Sequence, residues 1–122
     1  MNTKRDLELI IENHYLAVRR HVYREGSAPN PDIKKIATEA AERVRVGEQK
    51  LKKLRLPVGE RYHFSRLRKG FELLAKSLEI AAKGTNNAKA AELSKEADGM
   101  MSLYAITVLG KAVRDIESRN IS

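Results

Sequence analysis

Apolar residues recur every three or four positions through four segments of the chain, with clusters of Gly, Pro and Asn between them and no sustained period-two alternation. This pattern predicts helices and no strands. In the first segment, Thr3 to Arg24, one face carries Leu7, Ile10, Ile11, His14, Ala17, Val18 and His21, and Thr3 is placed to cap it. A Gly- and Pro-containing loop over residues 25–31 ends this helix. Asn30 as N-cap and Pro31 at the first helical position then open a second helix, with Ile33, Ala37, Ala40, Val44 and Leu51 inward.

Pro57 removes a backbone donor and Gly59 follows it, so the second helix is expected to stop near Leu54 and the third to begin near Glu60. Phe64, Leu67, Phe71, Leu74 and Leu78 form a heptad-like seam along the third, which closes at Gly84. Asn86 or Asn87 caps a fourth that runs to about Arg119, roughly 32 residues or about 48 Å at 1.5 Å per residue, unless Gly99 or Gly110 kinks it. Loops this short make successive helices antiparallel. The expected fold is therefore all-α: a single domain over residues 1–122, built as a four-helix up-down-up-down bundle with a long C-terminal helix.

Two of these helices carry more apolar surface than a bundle core requires. The fourth has an inner stripe of Ala90, Ala97, Met101, Ala105, Val108, Ala112 and Ile116. A second stripe of Gly99, Leu103, Ile106, Gly110 and Val113, with Met100 beside it, lies on the opposite side. On the first helix Leu9, Leu16 and Tyr23 recur every seven residues, about 180° from its core face. Together the outer stripes predict an oligomer interface and a homodimer. The alternatives are an adaptor or chaperone-like module that holds a partner helix there, and a fourth helix wrapped by the other three.

Charge adds a second candidate surface. Ten of the 24 basic residues but only two of the 16 acids fall between Arg43 and Lys69, so this stretch carries the whole net charge of +8. Lys50, Lys52, Lys53 and Arg55 close the second helix, where the helix macrodipole favours cations. Arg61, Arg66, Arg68 and Lys69 open the third, where it disfavours them, and Tyr62 is expected to point outward among them. With Arg43 and Arg45 these residues predict a nucleic-acid-binding surface, DNA or RNA, in which Tyr62 stacks on a base and the cations hold phosphates. A phospholipid surface and a merely solvated basic end are the competing readings. No zinc finger, basic zipper or convincing helix-turn-helix accompanies the cluster.

Side-chain chemistry points away from catalysis. The chain has no cysteine, which excludes disulfides and thiolate sites. His14 and His21 lie about 10.5 Å apart along one helix, too far to share a metal ion, and no Glu-x-x-His pair is present. Lys69 and Gly70 follow His63 by six and seven positions, not within the one turn found in phosphotransfer bundles. Glu48 sits close to an inner face, where an arginine from a neighbouring helix could pair with it. No phosphate-binding Gly-rich loop, nucleophile elbow or acid pair is present, so a non-enzymatic protein without metal or cofactor is expected. The longest uncharged run, Gly99 to Gly110, is shorter than the roughly 20 residues a spanning helix needs. Without a signal-peptide core near the start, the expected location is cytoplasmic.

Overall fold

Four helical rods pack side by side in the computed structural model, which describes residues 3–54, 61–110 and 113. The first rod comprises α1 (Thr3–Ile11), a π-helical turn (Glu12–Leu16) and α2 (Ala17–Gly26). The others are α3 (Ile33–Lys52), α4 (Arg61–Lys83) and α5 (Asn87–Tyr104), the last extended by a second π-turn over Ala105–Leu109. Neighbouring rods run antiparallel. Tyr15 meets Asp98 and Arg19 meets Ser94 between the first rod and α5, while Arg45 meets Glu79 between α3 and α4. Ser77 meets Ala90 between α4 and α5. The molecule is thus an all-α bundle of the expected up-down-up-down order.

The middle of the bundle depends on one missing side chain. Tyr15 and Phe71 fill the central layer, both fully buried, with ring centroids 5.4 Å apart at a 59° tilt. A Cβ on Gly47 would lie 2.4 Å from the Cβ of His14 and 2.9 Å from Cε2 of Phe71, so only glycine lets α3 come this close. Around this layer Leu7, Ile11, Val44, Leu51, Leu67, Leu74, Ala97 and Met101 complete the core. The expected seam of α4 is realised: Leu67, Phe71, Leu74 and Leu78 are buried and Phe64 packs against them.

The two π-turns change the register that a 3.6-residue period gives. In a π-helix residues five apart stack on one face. Ile11 and Leu16 are both buried across the first π-turn, and Tyr104 and Leu109 across the second. Leu16, expected on an outer stripe, is therefore core, at 5% exposure. His14, Ala17 and His21, expected inward, are only half-buried.

Other boundaries shift for local reasons. Asn30 does not cap α3: it takes a left-handed backbone (φ 51°) between Pro29 and Pro31, where a residue before proline avoids the right-handed helical region. The cap is Asp32, whose side chain accepts from the Lys35 N–H at 3.1 Å. Ile33 now sits at the first helical residue, one turn ahead of the first buried residue Ala37, and is exposed rather than inward. Asn86 caps α5 by accepting from the Lys89 N–H at 3.0 Å, and Gly84 ends α4 with φ +67°, both as expected. The last helix breaks at Gly110, one of the two glycines expected to kink it, where the backbone turns left-handed at φ +69° after the π-turn. Ala112, Ile116 and the Pro57–Gly59 hinge lie outside the described residues.

Replacing Gly47 by alanine gains about 1 kcal/mol of helix propensity but forces two helix backbones apart, an overpacking cost of about 1–3 kcal/mol. Urea unfolding of Gly47→Ala is expected to show a net loss of stability with an unchanged slope, whereas Gly99→Ala, which meets open space, is expected to gain about 1 kcal/mol.

Candidate nucleic-acid interface

Among the described residues the basic stretch divides between two sides of α3. Arg43 and Lys50 are seven residues apart and face the first rod: Arg43 donates to the Asn13 carbonyl at 3.2 Å, and Lys50 Nζ donates to His14 Nε2 at 3.0 Å. Lys53 lies with Lys50 and His14 along the same groove, together with Asp6 and Leu9. Arg45 points the other way. Its guanidinium binds both carboxylate oxygens of Glu79 on α4, at 2.9 and 3.3 Å, and Glu48 on its own helix at 2.9 Å. The bidentate bond to Glu79, opposed by partial burial, raises the arginine's pKa still further. Glu48 is thus neutralised from within α3, not by an arginine of another helix.

The cations of early α4 are held differently. Tyr62, Ser65, Arg66, Arg68 and Lys69 line a groove of about 500 Å³ with Glu48, Glu72 and Met100. Tyr62 is 66% exposed. Arg66 Nη1 donates to its hydroxyl at 3.1 Å, with the guanidinium carbon 5.8 Å from the ring centroid, and the His63 ring stands edge-on 5.4 Å away. Lys69 lies 3.7 Å from Glu72, whose carboxyl is held below its ordinary pKa chiefly by a bond from Lys76. Arg68 is exposed and has no ion pair among the described residues; Lys52 is exposed as well. The first turn of α4 contains no acid. Arg55 lies outside the described residues, as does the side chain of Arg61.

The expected oligomer patch is also dispersed. Gly99, Leu103, Ile106 and Gly110 do form an exposed stripe, with Leu103 at 49% and Ile106 at 63%. Met100 instead turns toward α4, 3.6 Å from where a Gly70 Cβ would stand, and Val113 packs against the core. Leu9 lines the α3-facing groove and Tyr23 stands at the far end of the first rod beside Leu74 and Leu78.

A polar network that sequence reasoning missed ties the first rod to α5. The buried Tyr15 hydroxyl donates to Asp98 at 2.7 Å, and Arg19 bonds both Asp98 and Ser94. Burial foremost, then the Asp98 charge, pushes the Tyr15 pKa well up, so the hydroxyl keeps its proton. The signal was a pair of four-residue spacings, Tyr15–Arg19 and Ser94–Asp98, on facing helices.

No group of three or more metal-ligating side chains occurs among the described residues, and no helix among them is long and apolar enough to cross a membrane. Comparison with protein-family models, curated proteins and solved structures finds no match. The functional reading therefore rests on the geometry of this chain.

His14 gives that geometry a pH dependence. Its Nδ1–H donates to the Arg43 carbonyl at 3.1 Å while Nε2 accepts from Lys50, an arrangement that requires the neutral ring. Burial foremost lowers its pKa below 6.5; the bond to the Arg43 carbonyl opposes this, and the Lys50 and Arg43 charges add to the lowering. The unfolded chain binds this proton more readily than the folded one, so His14 makes stability rise with pH up to about 6.5 and fall on acidification below it. Urea midpoints between pH 7.5 and 5.5 are expected to drop more for the parent than for His14→Gln.

Proposed function

We propose that the protein is a non-enzymatic helical bundle that binds a polyanion, nucleic acid foremost, through the start of α4. The carrying observation is the run of Arg66, Arg68 and Lys69 close behind a helix N-terminus with no acid in its first turn. An external anion would relieve the mutual repulsion of these cations, of which Lys69 alone has a carboxylate partner among the described residues. Exposed Lys52 at the end of α3 extends the same reading, whereas Arg43, Arg45 and Lys50 serve the bundle's own contacts. This narrows the surface proposed from the sequence to Lys52, Tyr62, Arg66, Arg68 and Lys69, and leaves Lys53 in the groove on the other side of α3.

Fluorescence anisotropy with short labelled oligonucleotides tests it. Binding is expected to weaken with salt, at about 0.7–0.9 in log–log slope per neutralised phosphate, and to vanish when Arg66, Arg68 and Lys69 are all changed to glutamate. Unchanged affinity in that variant would refute the assignment.

Self-association is a second reading, favoured by the exposed Leu103–Ile106 stripe. A homodimer through this stripe would use the open backbone at Gly99 for close approach; an adaptor would hold a partner helix there instead. Analytical ultracentrifugation is expected to give twice the chain mass of 13.8 kDa, falling to the monomer in Leu103→Ser/Ile106→Ser. A monomeric parent at high micromolar concentration would remove the dimer.

A further inference from the structure

We infer that the α4 surface selects single-stranded over double-stranded nucleic acid, with one base stacked on the ring of Tyr62. This rests on the polyanion reading above and adds what part of the polymer the site takes.

The inference starts from a side chain that the fold does not use. Tyr62 lies in the first turn of α4, 66% exposed, while the core of that helix is supplied by Phe64, Leu67 and Phe71. An exposed tyrosine usually loses rotamer freedom when it binds something. This one is already restrained: Arg66 holds its hydroxyl at 3.1 Å and lies over the ring, while His63 stands edge-on at 75°. The guanidinium occupies one side of the ring, and the exposure leaves the rest open to solvent. A pre-oriented aromatic face with a cation behind it suits a flat, electron-rich ring such as a nucleobase.

The surroundings decide which form of nucleic acid can supply that base. Arg66, Arg68 and Lys69 flank the adjoining groove on the same helix, with Lys69 about 10.5 Å along the axis from Tyr62 at 1.5 Å per residue. A strand following α4 would therefore meet an aromatic platform and then cations. A duplex keeps its base faces stacked against one another and offers phosphates alone, so it gains nothing from Tyr62. The carboxylates in the groove sharpen the difference. Glu48 is paired with Arg45 and Glu72 with Lys76 and Lys69, so the cations left over in the groove are few and suit one or two phosphates rather than a broad sheet of them.

The chain has no tryptophan, so Tyr62→Trp provides a single fluorophore at the proposed platform. Single-stranded DNA, single-stranded RNA and the matching duplex are titrated against it, with anisotropy of labelled strands followed in parallel for the parent, Tyr62→Phe and Tyr62→Leu. Saturable tryptophan quenching by a single strand and not by the duplex is expected. The arm that gives it identifies the polymer, since DNA and RNA share the base and phosphate chemistry invoked here. Tyr62→Phe keeps single-strand affinity within about threefold, whereas Tyr62→Leu loses about 5- to 150-fold, the range for one stacked base, with duplex affinity unchanged.

Salt-sensitive binding that is lost on charge reversal of Arg66, Arg68 and Lys69, yet equal for both forms and indifferent to Tyr62→Leu, would overturn the stacking while leaving the polyanion reading standing. Absence of all binding would overturn both.

Discussion

The close approach of the first rod and α3 at Gly47 sets the spacing of the bundle. Because no Cβ stands there, His14 packs against the α3 backbone and Phe71 reaches across to Tyr15. Two aromatic rings then occupy the central layer, and a Cβ on Gly47 would press on one of them, Phe71, at 2.9 Å. The tyrosine hydroxyl must find a partner once it is buried, and Asp98 supplies it, so the packing choice at Gly47 propagates to α5. Arg19 then neutralises Asp98 at the half-exposed rim.

Polar contacts between rods follow the same logic on each side. Arg45 joins Glu48 to Glu79 across α3 and α4, and Ser77 joins α4 to the Ala90 carbonyl of α5. Glu12, buried within the first rod, is matched by Arg20. Net charge alone is a poor guide to a binding surface in such a molecule, since several arginines serve to neutralise carboxylates that packing has drawn from water.

The number of rods, their antiparallel order and the seam of α4 were legible because each rests on a regular period or on a Gly, Pro or Asn signal. The Asn86 cap and the Gly84 stop are of that kind. Leu16 and Leu109 were not legible. Nothing in their local sequence distinguishes a π-turn from an α-turn, and the choice is made where rods meet. Asn30 lost the cap to Asp32 because two prolines flank it, a competition between two local rules with no periodicity to settle it. Tyr62 and its cations were visible as outward-facing residues. The diversion of Arg43, Arg45 and Lys50 into contacts with Asn13, Glu79 and His14 was not, because those partners lie 30 or more positions away in the chain or on a face fixed only by packing.

The division of cations by α3 also bears on how such a chain can change over generations. Residues that neutralise buried carboxylates sit on α2 and α3, whereas on α4 Arg66 bonds the exposed Tyr62 and Arg68 has no ion pair among the described residues. A substitution at Arg68 therefore leaves the ion pairs of the buried carboxylates intact. The charge of this corner can vary while the scaffold keeps its own pairs.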